Sequence, residues 1–142
     1  MYLVQPSYEF FDHTADMGVR VRAATLPELI APAGDGLYAA IGRLVGQGDA
    51  GSVSFDFTGD EPAVLLRDYL GELLILFERD ARVVTAVDVS SFDDDRLAVT
   101  AHTRSVDAQR SVFHREVKAV TYHELNIAAI PDGYEATFIV DI

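Results

Sequence analysis

The segment from residue 63 to residue 79 constrains the fold most, because it has the apolar periodicity of one long helix. Its main apolar stripe consists of Leu66, Leu70, Leu73 and Phe77. Beside that stripe lie Leu65, Tyr69 and Leu76. So wide an apolar face is typical of a core helix packed on a sheet, rather than of a membrane or partner helix. Gly59-Asp60-Glu61-Pro62 predicts the turn that precedes this helix.

Alternating apolar residues predict the strands of that sheet. The predicted strands cover residues 8–11, 19–23, 53–57, 82–89, 97–103, 116–130 and 134–142. An acidic turn at residues 90–95 separates two of them, and Pro131-Asp132-Gly133 is a strong turn signal between the last two. Most of these strands follow one another directly, which favours antiparallel pairing.

A second helix is predicted to begin at Thr25, because Thr25 and Glu28 have the spacing of a capping box and Pro27 suits a first helical turn. Apolar residues keep helical spacing from there to Leu44. Two glycines and a proline interrupt this segment, and we expect them to kink or break the helix. These residues are Pro32, Gly34 and Gly36.

The order of elements predicts an α+β fold, with a mainly antiparallel sheet and two helices packed on it. Residues 8–58 and 53–103 both pass through strand, helix and strand, so the fold can be described as two interleaved strand-helix-strand-strand units. Apolar residues make up 49% of the 142 residues, enough for a proper core, and no shift in composition divides the chain. We therefore expect a single domain over residues 1–142.

The charge of the chain argues against direct binding of nucleic acid. There are 11 Lys and Arg residues against 23 Asp and Glu residues, a net charge of −12. Such a surface repels phosphate backbones, but it attracts cations and basic patches of other proteins. Solubility alone explains an acidic surface about equally well.

The chain offers no signal for a membrane or an oxidising compartment. Its longest apolar stretch, LGELLILF, is far shorter than the roughly 20 residues that span a bilayer. The N-terminal residues lack the pattern of a signal peptide, and the absence of cysteine excludes disulfides and thiolate metal sites. We expect a cytoplasmic protein.

Three motifs in this sequence resemble the archease family: YEFFDHTADMGVRVRA at residues 8–23, VKAVTYHEL at residues 117–125, and FIVDI at residues 138–142. The resemblance covers essentially the whole chain. It implies a single archease-like domain in a small cytoplasmic protein that assists the tRNA-splicing RNA ligase of the RtcB type. In that role the protein promotes the metal-dependent guanylylation of the ligase by GTP, and its repeated turnover, without being a ligase itself.

The resemblance also implies a metal site, formed by Asp16, Asp141 and the free carboxylate of Ile142. Strand alternation supports part of this, because it places the Asp141 side chain opposite the apolar face of the last strand. Carboxyl groups gathered at one edge repel each other unless a cation lies among them. Oxygen ligands of this kind suit Ca²⁺, Mg²⁺ or Mn²⁺ better than structural zinc, and we expect Ca²⁺ first in a crystal.

Four further residues in the motifs are candidates for supporting this site: Asp12, His13, Lys118 and His123. Asp12, like Thr14, has the simpler interpretation of capping its turn. His13 could orient a carboxylate, although a structural role is more common for such a histidine. Lys118 could pair with a carboxylate near the site, or it could only be a solvent-exposed residue of its strand. Strand alternation puts Thr121 and His123 on the same face.

Two other functions stay open. Asp12, His13 and Asp16 with a divalent ion could activate water in an enzyme, although the sequence has no glycine-rich phosphate loop and no Ser/His/Asp pattern. The chain could also be a chaperone or modulator of a tRNA-modifying enzyme such as a methyltransferase, a role that has also been proposed for the family that it resembles.

Overall fold

The computed structural model of this protein describes residues 4–13 and 16–142, with only the backbone of His13. Its helices are a 3-10 helix, Pro27–Leu29, followed by α1, Ile30–Ile41, and α2, Pro62–Asp80. Its strands are β1 (Ser7–His13), β2 (Asp16–Ala23), β3 (Gly42–Arg43), β4 (Gly46–Thr58), β5 (Arg82–Phe92), β6 (Arg96–Val106), β7 (Val112–Phe113), β8 (Ala119–Val120), β9 (Asn126–Ile130) and β10 (Gly133–Asp141). None of the helices described is long and apolar enough to cross a membrane.

The strands form a five-stranded sheet from both ends of the chain and a three-stranded sheet from its middle. The larger sheet has the order β1-β2-β10-β8, and β9 also pairs with β10. The smaller sheet has the order β4-β6-β5, and β3 pairs with β7. These pairings are antiparallel, so the predicted α+β class with a mainly antiparallel sheet and two helices is confirmed.

The apolar faces of both sheets and both helices meet in one core. The predicted stripe of α2 is buried there, with Leu66, Leu70 and Leu73 completely inaccessible. On the larger sheet, Val19 and Phe138 are equally inaccessible. Burial of such side chains stabilises the fold by about 25 cal/mol for each Å² of apolar surface removed from water. This hydrophobic contribution is the main force that holds the helices on the sheets.

The expected break in the first helix was wrong, because α1 is unbroken from Ile30 to Ile41. Pro32 lies in the first turn, where a missing N–H does little harm. Gly34 and Gly36 allow close packing: a Cβ on Gly36 would lie 2.8 Å from Cγ1 of Val19. The glycines therefore bring α1 close to its neighbours instead of ending it.

The predicted strand over residues 116–130 was also wrong, because it is divided into β8 and β9 by a turn. The hydroxyl of Thr121 donates to the carbonyl of Ile139 at 3.1 Å and accepts the N–H of His123 at 3.2 Å. Glu124 has a φ of 52°, which no strand residue adopts. This side-chain turn overrides the alternating pattern.

Candidate functional site

Asp16 and Asp141 lie at neighbouring strand ends of the larger sheet. Asp16 begins β2 and Asp141 ends β10, and these strands are adjacent and antiparallel. Val140 faces Met17 in this ladder, so the next position of each strand brings Asp141 opposite Asp16. Val140 is fully buried, and alternation therefore puts both aspartates on the face that points away from the core.

Ile142 follows Asp141 and lines an open cleft at the same end of the sheet. The residues lining this cleft are Phe10, Phe11, Asp12, Asp16, Met17, Arg115 and Ile142. The structure thus brings Asp12, Asp16 and Ile142 together, with Asp141 beside them on the outward face. Asp12 is described and exposed, but the turn that Asp12 and Thr14 were expected to cap, and the side chain of His13, lie outside the described part of the chain.

The second motif holds the last strand in place through its backbone. The N–H of Lys118 donates to the carbonyl of Asp141 at 2.7 Å, and the N–H of Thr121 donates to the carbonyl of Ile139 at 2.9 Å. Ala119 is the ladder partner of Asp141. The motif at residues 117–125 therefore positions the end of β10, and its main contribution is made by main-chain atoms.

The side chain of Lys118 points to another surface. It lines an open groove along α2 together with Asp68, Glu72 and Glu78, and it forms no ion pair with a carboxylate of the described residues. His123 lies in the turn after β8, where the strand alternation with Thr121 no longer applies. Neither side chain lines the cleft at Asp16.

Two arginines have roles that the sequence pattern did not reveal. Arg115 lines the cleft, and its guanidinium donates to the carbonyl of Ala40, which fixes a positive charge beside the carboxylates. Arg67 of α2 donates through Nε to the carbonyl of Val120 at 3.0 Å and lies 4.4 Å from the ring centroid of Tyr122. These contacts connect distant segments, so no local signal in the sequence predicts them.

The other charged groups on this face of the sheet are paired. Arg20 donates to Glu9 at 2.9 Å, and Arg22 donates to Glu135 at 2.8 Å. The hydrogen bond from Arg20 holds the pKa of Glu9 below its usual value. Arg20 also lies 4.7 Å from the ring centroid of Phe11. Asp16 and Asp141, by contrast, form no ion pair with any side chain that the structure describes.

The carboxylates at the strand ends are the type of ligand that a hard cation prefers, but there are too few of these side chains to hold a metal ion by themselves. In residues 4–13 and 16–142, no three His, Asp or Glu side chains gather closely enough to hold a metal ion. The two aspartates would need a third ligand, and the α-carboxylate of Ile142 is the nearest group in sequence with the right chemistry. Carboxylate oxygens of this kind are the ligands that Ca²⁺, Mg²⁺ and Mn²⁺ prefer.

The sheets, the helices and this strand-end cluster define a small α+β protein with one core and a candidate cation site. The sequence matches the model of the Archease protein family (MTH1598/TM1083) over residues 8–142. The chain therefore belongs to the archease family.

Relatives of similar length agree with this assignment. "Protein archease" of Archaeoglobus fulgidus is 30% identical over 135 residues, which cover 95% of this chain and 98% of the relative. "Protein archease" of Methanosarcina barkeri is 32% identical over 140 residues, with 95% of each chain covered. The alignments thus extend over nearly the whole of each protein.

Two solved structures have the same fold. The solution structure of Methanobacterium thermoautotrophicum protein 1598 superposes with a TM-score of 0.74 at 25% identity, covering 96% of this chain and 99% of that one. The crystal structure of an archease of Thermotoga maritima, described as a possible chaperone, has a TM-score of 0.67 at 16% identity, covering 100% and 99%. The second comparison concerns the fold alone.

Proposed function

We propose that this chain is a metal-binding protein cofactor that activates an RtcB-type RNA ligase in tRNA splicing and RNA repair. Its role would be to promote guanylylation of the ligase and multiple turnover. The observation that carries this proposal is the pair of aspartates, Asp16 and Asp141, at adjacent strand ends beside Ile142. They form no ion pair with a described side chain, and Arg115 in the same cleft donates to the carbonyl of Ala40.

Electrostatics supports a cation at this place. Two carboxylates at facing positions of adjacent strands repel each other, and like charges directly opposite destabilise a sheet. Elsewhere on this face the chain balances its carboxylates with Arg20 and Arg22. A divalent ion held by Asp16, Asp141 and the carboxylate of Ile142 would balance the remaining charge with oxygen ligands.

The backbone around the cluster is suited to a fixed site. The hydrogen bond from the N–H of Lys118 to the carbonyl of Asp141 anchors β10 at its last residue. Arg67 anchors the next strand, because it donates to the carbonyl of Val120. A site whose supporting segments are held in this way binds an ion with less reorganisation than a free terminus would.

We propose an activator and not a second enzyme. A bound divalent ion would supply positive charge that aligns and neutralises phosphate groups, the main requirement of nucleotidyl transfer. The chain's own contribution would be carboxylates that hold the charge and an acidic surface, with a net charge of −12, that suits a basic patch on a protein partner and disfavours RNA. No nucleophile is needed from the activator.

A second candidate is a chaperone or modulator of a tRNA-modifying enzyme such as a methyltransferase. The archease of Thermotoga maritima with this fold is described as a possible chaperone. The acidic surface fits either kind of partner. The two candidates differ in one respect, because only the ligase activator requires the aspartates of the strand ends for its effect.

The deciding experiment follows the covalent guanylate adduct of an RtcB-type ligase with GTP and a divalent metal. We expect a substoichiometric amount of the wild-type protein to accelerate adduct formation, and the protein alone neither to join RNA nor to hydrolyse GTP. Asp16→Ala and Asp141→Ala should lose most of the acceleration, Asp12→Ala less. Asp94→Ala, in the exposed turn before β6, is the matched control and should act as the wild type does.

Two results would contradict the proposal. If no metal concentration allows the protein to affect ligase guanylylation, the modulator function is favoured. If the protein alone turns over GTP or a phosphoester, and this turnover disappears with Asp16→Ala, the chain is an enzyme. Circular dichroism of each variant shows whether a loss of activity reflects the site or the fold.

A further inference from the structure

A small cavity that opens to solvent lies between α1, α2 and β5. Its volume is about 90 Å³, and its lining includes Gly34, Asp35, Tyr38, Tyr69, Leu73 and Thr85. It shares no lining residue with the cleft at Asp16. The walls are largely apolar, and polar groups from both helices converge on it.

Tyr69 is the first sign that this cavity takes a ligand. The residue is 1% exposed, and its hydroxyl makes no hydrogen bond with any residue that the structure describes. A buried hydroxyl without a partner costs about 1–3 kcal/mol, so such groups are normally satisfied. Tyr69 lines the cavity, and burial raises its pKa, with smaller contributions from Tyr38 and from the charge of Asp35.

Tyr38 and Asp35 supply the remaining polar groups. The Tyr38 hydroxyl oxygen accepts the N–H of Val84 at 2.9 Å, and its second lone pair can accept one further hydrogen bond. Burial raises the pKa of Tyr38 to about 12 and also raises the pKa of Asp35. Asp35 is an exposed residue of the lining and forms no ion pair with a described residue, and the lining contains no Lys, Arg or His.

A β-bulge at Thr85 and the missing side chain of Gly34 shape the walls of the cavity. The ladder between β5 and β6 shifts its register between Val84 and Ala86, so Thr85 forms a bulge at the cavity wall. β-Bulges are frequent next to functional sites, where they redirect side chains. Gly34 lacks the Cβ that would lie 3.3 Å from Cδ1 of Leu73.

We propose that this cavity binds a small primary ammonium ion. The carboxylate of Asp35 takes the positive charge, the hydroxyl oxygens of Tyr69 and Tyr38 accept hydrogen bonds from the ammonium N–H groups, and the apolar walls contact a short alkyl body. An engineered apolar cavity of about 150 Å³ holds benzene, so about 90 Å³ suits a body of about four heavy atoms. The net charge of −12 raises the local concentration of such a cation.

The test is an NMR titration of ¹⁵N-labelled protein with propylammonium chloride, with 1-propanol and sodium chloride as controls of equal concentration. We expect propylammonium to shift the amides of Gly34, Thr85 and Ala86 saturably and to bind at least about tenfold more tightly than 1-propanol, because hydrogen bonds to a charged group are the stronger ones. Asp35→Asn should remove this preference, and Asp94→Asn should keep it.

A pair of glycine variants tests the cavity by its volume. Gly34→Ala adds a methyl group at the wall, whereas Gly71→Ala adds one on α2 where the nearest atom is 3.9 Å away, outside the cavity. Both should fold, since alanine favours a helix. We expect Gly34→Ala to weaken propylammonium binding at least about threefold, and Gly71→Ala to leave it unchanged.

Tyr69→Phe should also fold, because it removes only the hydroxyl, and it should bind propylammonium about tenfold more weakly. Equal affinity of the wild type for propylammonium and 1-propanol would overturn the proposal. So would shifts that do not saturate, or shifts at the cavity that Asp35→Asn and Tyr69→Phe leave unchanged, which would indicate a cavity that holds water only.

Discussion

The carboxylates of the three-stranded sheet and those at the strand ends of the five-stranded sheet differ in their partners. In the three-stranded sheet, Asp56 accepts two hydrogen bonds from Arg96, at 3.0 and 2.7 Å, and Asp88 lies 2.7 Å from Nε2 of His102. At the strand ends of the five-stranded sheet, Asp16 and Asp141 have no basic partner among the described side chains. Arg96 thus pairs directly with a carboxylate of the smaller sheet, whereas Arg115, the arginine in the cleft of Asp16, donates to the backbone carbonyl of Ala40 instead.

This difference separates carboxylates that act within the chain from those suited to an external cation. The guanidinium of Arg96 holds the pKa of Asp56 below its usual value, so that carboxylate stays ionised and satisfied. The strand-end pair has no such hydrogen-bonded guanidinium among the described side chains, and a bound cation would add to the charge that Arg115 supplies. The predictions below test this contrast, beginning with the largest effect.

Calcium should stabilise the protein through the strand ends alone. At a free Ca²⁺ concentration 100 times the dissociation constant, one site adds about 2.7 kcal/mol to the free energy of unfolding of the wild type. Asp16→Asn and Asp141→Asn should each lose most of this increment, measured by thermal unfolding with and without Ca²⁺. Asp56→Asn is the matched control and should keep it. An equal response of all four proteins would place the site elsewhere.

Gly18→Ala should damage the sheet face next to the site. A Cβ on Gly18 would overlap the ring of Phe11, which covers this glycine from β1. The ring must move, and such overpacking costs about 1–3 kcal/mol. Denaturant unfolding measures the loss. The variant Phe11→Leu, Gly18→Ala should recover part of it, and if it recovers none, the clash is not the cause.

A residue added after Ile142 should weaken metal binding, because it converts a carboxylate ligand into an amide carbonyl and removes one negative charge. We expect the affinity for Ca²⁺ to fall at least about tenfold. Changing a residue that only hydrogen-bonds to a metal ligand already lowers metal affinity by about tenfold or more. Calorimetric titration of proteins with matched N-terminal and C-terminal extensions measures it. Equal affinities would remove the terminal carboxylate from the set of ligands.

Without metal, substitutions in the two regions should have small effects of opposite sign. Asp16→Asn should raise the melting temperature slightly, because it removes repulsion with Asp141. Asp56→Asn should lower it slightly at neutral pH. The lowered pKa of Asp56 stabilises the fold above the unfolded-state pKa, so this difference from the wild type should shrink as the pH falls from about 6 to about 3. A pH-independent difference would contradict the ion-pair explanation.

Strongly periodic segments could be predicted from the sequence. The second strand, the helix α2 and the last strand all have a regular alternation or a regular apolar stripe, and the structure contains each of them. The error in the first helix arose because a local rule on helix formation competes with tertiary packing. Gly34 and Gly36 weaken a helix in isolation, but in the fold they permit close contact with Leu73 and Val19.

The candidate site shows the same limit. Strand alternation predicted that Asp141 faces away from the core, but it contained no information on which strand lies beside it. The adjacency of Asp16 and Asp141 depends on the pairing of β2 with β10, which are more than 100 residues apart in the chain. The contacts of Arg67 and Arg115 likewise depend on tertiary structure, and ligation of a metal stays a prediction.

The central claim is tested most directly by paramagnetic broadening with Mn²⁺, which reports where a divalent ion binds. Substoichiometric Mn²⁺ added to the ¹⁵N-labelled wild type should first broaden the amides of Met17, Ala119 and Val140. The turn at residues 93–95, which carries three aspartates, should keep its signals, and Asp16→Asn should abolish the effect at the strand ends. Broadening that begins at residues 93–95, or that is unchanged in Asp16→Asn, would contradict the account.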